Sequence, residues 1–283
     1  MLLVQHLLNG LLAGAYYLLI ALGLSLIFSL GGIVNLAHGA FYAIGAYLAI
    51  TIGRHLGFAG AMFISPVLVG LLGVVIERLL LRRFYKADPS LSLLLTFGLA
   101  MVAEQALRMI YGAPPLSWEI PQALRGQFIV GDFFYPKYRT LLIGVAMACV
   151  AGLWLLLQRT PFGRVVRAGV QNPEMVGALG ISLEPYMAAV AFIGIGLAGL
   201  AGVMLAPIFA VHPAMGQEII TSAFVVVVIG GLGSLEGALV GALLVGVVRE
   251  AGITFFPEIE LAVLYLMAAV VLLVRPAGLF GRA

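Results

Sequence analysis

Long runs of apolar residues repeat along almost the entire chain. A helix that crosses the hydrocarbon core of a bilayer needs about 20 predominantly apolar residues. The pattern predicts nine hydrophobic segments. Two of them are short and one begins irregularly, so eight to ten spans fit the sequence equally well. The segments are residues 6–30, 33–53, 60–81, 90–111, 138–158, 187–210, 218–231, 238–250 and 259–274.

One long polar segment, residues 159–186, interrupts this pattern. It contains three arginines, two glutamates and three prolines, and its amphipathic core is too short and too polar to cross a bilayer. A polar segment of this length between two spans usually has something to touch, so we predict that it binds a soluble partner that moves the membrane domain. A second stretch, residues 112–137, contains proline, glycine and aromatic residues and is predicted to be a loop.

The polar segment carries the signals of a short capped helix over residues 172–179. Asn172 can cap the helix, Pro173 suits its first position and Glu174 favours the positive end of the helix dipole. Gly180 is a suitable residue for its end. Its apolar side chains, which would be awkward in water, are Met175, Val176 and Leu179. A hydrophobic cleft in a partner would cover them, and the alternative is a helix that rests on lipid headgroups.

Composition agrees with a fold whose solvent is lipid. The chain is 63% hydrophobic and only 10% charged, with a mean hydropathy of +1.16, whereas soluble domains carry roughly 25% charged residues. We therefore predict an all-α polytopic membrane helix bundle that forms one domain over residues 1–283. The basic balance of the chain then reports membrane topology and does not indicate nucleic-acid binding.

The lysines and arginines indicate the orientation of the bundle. If the loops after the third and fifth spans and the C-terminus share one side, that side receives nine basic residues and the other side five. Basic residues accumulate on the cytoplasmic side. The prediction is that residues 159–186 and the C-terminus are cytoplasmic, the N-terminus is outside, and residues 112–137 form the main external loop.

Two glycine-rich interruptions, residues 31–39 and 230–237, each open with Gly-Gly and end with Gly-Ala. Paired broken helices in two repeated halves, which can be inverted, point to the substrate route of a transporter. The candidate pathway residues are Asn35, His38, Gly39, Gly230, Gly231 and Gly233. The alternative is that glycine-rich membrane helices look alike by chance, and that Asn35 and His38 only make hydrogen bonds between helices.

Glu104 and Arg108 are the charged pair within the fourth span. Charges in lipid are costly, and a spacing of four residues allows pairing on one helix face. We interpret them as an intramembrane ion pair, with a role in the pathway as the alternative. No catalytic constellation, nucleotide-binding loop or metal-ligand spacing is visible, so we predict a transport subunit that is not an enzyme and has no cofactor. If the protein uses ATP, another chain must bind it.

Four stretches together resemble branched-chain amino-acid ABC transporter permeases of the LivH type. They are the polar segment from Thr160 to Ile181, the stretch Gly32-Ile-Val-Asn-Leu-Ala-His-Gly39, the stretch Gly230-Gly-Leu-Gly-Ser-Leu-Glu-Gly-Ala238, and Arg275-Pro-Ala-Gly-Leu-Phe-Gly281. The resemblance covers almost the whole chain in order and spacing.

The resemblance implies a subunit of a bacterial inner-membrane importer. Its partners would be two ABC ATPase subunits, a second permease that is either a paralogue or another copy, and a periplasmic substrate-binding protein. The residues expected to couple to the ATPase are Arg164, Arg167, Gln171, Asn172, Glu174, Met175, Val176 and Leu179. Related permeases also serve sugars, urea and amides, so these substrates stay open, and a secondary transporter without an ATPase is a further alternative.

Overall fold

The computed structural model describes residues 2–85, 88–130, 133–255 and 257–281. Within these ranges the chain is almost entirely helical, which confirms the predicted all-α class. The helices are α1 (Leu2–Gly31), α2 (His38–Leu79), α3 (Pro89–Tyr111), α4 (Lys137–Arg159), α5 (Pro161–Gln171), α6 (Pro173–Ala178), α7 (Glu184–Leu205), α8 (Met215–Gly230), α9 (Leu235–Phe255) and α10 (Glu260–Val274).

The loop between α3 and α4 contains a small antiparallel pair of strands, β1 (Gln127–Val130) and β2 (Phe133–Pro136). Single 3₁₀ turns occur at Leu81–Phe84, Gln122–Leu124 and Pro257–Ile259.

Six of the described helices, α1, α2, α3, α4, α7 and α9, are long and apolar enough to cross a membrane. α8 and residues 262–274 of α10 are shorter apolar helices. α2 has 42 residues, which at 1.5 Å per residue is about twice the thickness of the hydrocarbon core. The nine predicted segments therefore match eight helices, of which α2 accounts for two.

α2 is a helical hairpin that reverses at Gly57. This glycine has φ 68° and ψ −176°, a conformation that L-residues with a side chain rarely adopt. Ala49 and Ala61, one from each arm, are buried together against Val203 of α7. Gly45 and Val69, again one from each arm, both pack at Gly199 of α7. Residues that precede and follow Gly57 thus meet α7 at the same heights, which is the geometry of two antiparallel arms.

α1 and α7 form the centre of the bundle. In an apolar stretch of 18 residues, 89% of the residues of α1 and 72% of those of α7 are buried, against 22% in α3 and in α4. Backbone contacts at glycine hold them to their neighbours: a Cβ at Gly202 of α7 would overlap the Tyr42 carbonyl, and one at Gly246 of α9 would overlap the Gly10 carbonyl. Small residues let membrane helices approach this closely, as the glycines of α7 predict.

The loops collect at two ends of the bundle. At one end, Tyr85 packs against Gly31 and the side chain of Leu30 lies at Gly169. At the other end, Leu116 pairs with Val211 and the Tyr135 hydroxyl donates to the Leu8 carbonyl. The assignment of these two ends to the two sides of the membrane stays a prediction. Of the basic residues in that assignment, Lys86 and Arg282 lie outside the described residues.

Candidate functional site

The polar segment folds as two short helices, α5 and α6, each with a side-chain cap. The Thr160 hydroxyl accepts a hydrogen bond from the Gly163 N–H at 3.1 Å, and the Asn172 Oδ1 accepts one from the Met175 N–H at 2.9 Å. Ser, Thr, Asp and Asn favour this position because their oxygen satisfies a backbone donor that the helix leaves free. The predicted cap at Asn172 is therefore present, and Thr160 caps α5 in the same way.

α6 ends in a Schellman turn. Gly180 has φ 77°, the Ile181 N–H donates to the Val176 carbonyl at 3.2 Å, and the Gly180 N–H donates to the Gly177 carbonyl at 2.9 Å. These are the two bonds that define this helix end. A helix of only six residues would not persist alone in water, so the hydrogen bonds at both of its ends fix its shape.

The outer face of α6 presents Met175 and Leu179, which are 58% and 72% exposed. The expectation that Val176 is also exposed is wrong, since this side chain is only 4% exposed. The reason is helical geometry: residues four apart share a face, whereas the next residue is turned by about 100°. Two apolar side chains, not three, are available to a partner.

The polar members of the predicted coupling set divide into two groups. Arg164, Gln171, Asn172 and Glu174 are exposed on the segment. The Arg167 guanidinium instead donates to the Leu157 carbonyl in the last turns of α4, where helix carbonyls lack partners within the helix. Arg167 therefore closes the corner between α4 and α5.

α5 docks the segment onto the bundle. Gly163, Val166 and Gly169 form its buried face, and Gly169 lies against the side chains of Leu30 and Leu183. The Phe162 and Tyr186 rings stack with centroids 5.7 Å apart. The sequence signals did not distinguish α5 as a separate amphipathic helix, although small and apolar residues recur three apart along it.

A polar cluster joins the start of α7 to the end of α2. Arg82 and Glu184 form an ion pair at 2.9 Å. The Tyr85 hydroxyl donates to Glu77 Oε1 at 3.2 Å, and Glu77 is fully buried. Burial raises the pKa of Tyr85 well above its ordinary value, so the hydroxyl keeps its proton and remains a donor.

The first interruption lies inside the bundle. Asn35 and His38 are 1% and 0% exposed, and the His38 Nε2 lies 3.1 Å from the Ile20 carbonyl, well inside α1. The Leu36 N–H donates to the Thr96 hydroxyl at 3.2 Å. This role of Thr96 was not predicted, and the only hint of it in the sequence is a hydroxyl group within an apolar span. Neither side-chain polar atom of Asn35 has a hydrogen-bond partner among the described residues.

Gly39, in the first turn of α2, meets the first turn of α8. A Cβ at Gly39 would overlap the Gly216 carbonyl oxygen, so the two helix starts touch through backbone. α1 leads into the interruption before α2, and α7 leads into the turn before α8. The contact between Gly39 and Gly216 was not predicted from the sequence.

The remaining pathway candidates lie at the end of the bundle that carries the polar segment. Gly230 packs against Gly237 between α8 and α9, Gly231 against Gly281, and Gly233 beside Ser29 near the end of α1. The structure does not bring these glycines to Asn35 or His38. Their role in a pathway stays a prediction.

Glu104 and Arg108 form the predicted ion pair, with Arg108 donating to Glu104 Oε1 at 3.2 Å. The Glu104 side chain is 20% exposed, and that of Arg108 48% exposed. Glu104 also lines a narrow cavity between α2, α3 and α8. Across the described part of the chain, no group of three or more His, Cys, Asp or Glu residues is placed to hold a metal ion.

A bundle of long apolar helices that carries a capped polar segment at one end is typical of a multi-pass membrane protein. The family model described as "Branched-chain amino acid transport system / permease component" matches residues 6–274, and the chain belongs to this family.

Curated relatives match over nearly the full length. The chain is 32% identical to the high-affinity branched-chain amino acid transport permease BraD of Pseudomonas aeruginosa, covering 98% of this chain and 95% of that one. It is 28% identical to LivH of Escherichia coli, with the same coverage. It is 26% identical to LivM of Escherichia coli, covering 93% of this chain and 67% of that one.

One solved structure shares the fold. A chain of the structure titled PsaBC from Streptococcus pneumoniae in complex with Fab aligns with a TM-score of 0.50 and 15% identity, covering 94% of this chain and 89% of that one.

Proposed function

We propose that this chain is the membrane-spanning permease subunit of an ATP-driven importer of branched-chain or related amino acids. Separate ATPase subunits would drive alternating access between the two sides of the membrane. The observation that carries the proposal is α6, a helix capped at both ends that holds Met175 and Leu179 exposed outside the apolar spans. The family and the names of the relatives support the substrate class.

The proposed assembly contains two ABC ATPase subunits, a second permease and a periplasmic binding protein in the bacterial inner membrane. The polar segment and the C-terminus would face the cytoplasm. The resemblance to both LivH and LivM supports a second permease of related sequence. Lipid would cover the exposed apolar faces of helices such as α3 and α4.

Movement of the ATPases would reach the bundle through α6 and α5. α6 continues directly from α5, and α5 lies against Leu30 of α1 and Leu183 at the start of α7. The ion pair between Arg82 and Glu184 extends this contact to the end of α2. An ATPase that grips α6 differently in its two states would shift the bundle between two arrangements.

Uptake by the reconstituted complex tests whether transport is driven by ATP. Wild-type permease with its ATPases and loaded binding protein should accumulate leucine in proteoliposomes only with ATP. Uptake that persists when both ATPases carry catalytically inactive sites would show a secondary transporter and end the proposal. For the substrate class, a binding protein that takes sugar but not leucine would replace amino acids with sugars.

Charge reversal at Glu174 tests the coupling role of α6. Glu174 is exposed in the first turn, where a negative charge is favourable and a positive charge is not. Glu174→Arg should weaken ATPase binding by about threefold to thirtyfold, judged from two helix-dipole terms, and leave membrane insertion intact. The matched control is Glu258→Arg, an exposed glutamate on a 3₁₀ turn far along the chain. Equal ATPase co-purification by both variants would count against the coupling role.

A further inference from the structure

The narrow cavity between α2, α3 and α8 lies beside the contact of Gly39 with Gly216, where two interrupted helices begin. Its walls are mostly small and apolar, and its polar lining comes from two side chains. The side chains that matter here are Ala40, Ala43, Ala100, Leu107, Glu104 and Gln217. Binding sites of membrane transporters form where discontinuous helices start within the bilayer.

Glu104 is the charged group of this cavity. A carboxylate at membrane depth is costly, and the ion pair with Arg108 offsets part of this cost. The pair occupies only Oε1, and among the described residues no hydrogen-bond partner reaches Oε2. Arg108 does not line the cavity. An ion pair within one helix would form whichever way α3 faced, so pairing alone does not explain a carboxylate turned toward the starts of α2 and α8.

We infer that this cavity is a transit site for an apolar amino acid, in which Glu104 receives the substrate ammonium group. The alanines Ala40, Ala43 and Ala100 would form an apolar wall for an aliphatic side chain once the cavity opens. The Gln217 amide, in the first turn of α8 where the helix dipole is positive, suits the substrate carboxylate. The inference rests on the proposed function and names the residues that meet the substrate inside the membrane.

The glycine contact explains how the site would open and close. The cavity is narrow while Gly39 and Gly216 touch, so it admits an amino acid only when the starts of α2 and α8 separate. Movement of α1 and α7, which lead into these starts, would supply that separation.

Three variants in the reconstituted complex test the inference. Glu104→Gln keeps the shape of the side chain but removes its charge. It should reduce ATP-dependent leucine uptake by about 10- to 100-fold, the loss expected for one charge-assisted hydrogen bond. ATP hydrolysis stimulated by the loaded binding protein should continue. Arg108→Gln should cost far less, and Gln105→Leu, an exposed polar residue of α3 outside the cavity, should transport normally.

Each outcome decides the question. Full transport by Glu104→Gln would overturn the inference, and equal losses in Glu104→Gln and Arg108→Gln would show that the ion pair is only structural. Wild-type complex that fails to import leucine would defeat the proposed function, whereas normal wild-type and Glu104→Gln uptake together would defeat only the site.

Thiol labelling gives a second measurement in case Glu104→Gln does not assemble. Ala100→Cys, in a background where Cys149 is replaced by Ser, should react faster with a cationic than with an anionic methanethiosulfonate during turnover. Glu104→Asp should keep this preference. Absence of the cation preference, or of any labelling during turnover, would overturn the inference.

Discussion

The cap of α6 makes a quantitative prediction about ATPase binding. Asn172 Oδ1 accepts a hydrogen bond from the Met175 N–H at 2.9 Å, and replacing such a cap with alanine costs about 1 kcal/mol. Because α6 has only six residues, little else within the helix compensates. The ratio of ordered to disordered α6 should fall about fivefold in Asn172→Ala. The apparent affinity for a partner that binds only ordered α6 falls by at most the same factor.

Titration of labelled ATPase subunits onto permease in lipid nanodiscs measures this affinity. Asn172→Ser is the matched control, since serine retains an oxygen that can cap the helix. We expect wild type and Asn172→Ser to have similar dissociation constants, and Asn172→Ala to bind more weakly, by up to about fivefold. An unchanged affinity in Asn172→Ala would refute a role for the cap. Equal weakening in both variants would show that the asparagine amide itself contacts the partner.

Two further substitutions test packing. Gly39→Ala forces a Cβ into the Gly216 carbonyl and should lower the apparent melting temperature by roughly 2 to 10 °C. Gly98→Ala on α3, which meets nothing within 4 Å, should not lower it, and equal losses would contradict the assigned contact. Tyr85→Phe removes the donor to buried Glu77 and should cost about 1 to 3 kcal/mol of unfolding free energy. The exposed Tyr265→Phe is its control in the same denaturation assay, and equal costs for the two would argue against this hydrogen bond.

The long apolar runs predicted the spans well because a segment that crosses lipid must be apolar and must satisfy its backbone hydrogen bonds internally. The ends of α6 could also be predicted, because Asn172, Pro173 and Gly180 specify this helix through interactions that span only a few residues. These are features that neighbouring residues determine without help from the rest of the chain.

Contacts between distant residues could not be predicted in the same way. The meeting of Gly39 with Gly216, and the hydrogen bond from Leu36 to Thr96, depend on how separate helices pack. The sequence contains 36 glycines, so composition alone could not select which pair touches. The burial of Val176 was missed because an amphipathic pattern over six residues does not define which side faces the protein.

The position of Gly169 has a mechanical consequence. α5 rests at this residue on Leu30, at the end of α1, and on Leu183, immediately before α7. One rigid element therefore bears on both helices that precede the interrupted stretches. A displacement of α5 would therefore act on α1 and α7 at the same time. States in which only one of these two helices has moved would then be short-lived, which would limit leakage of solutes through the permease.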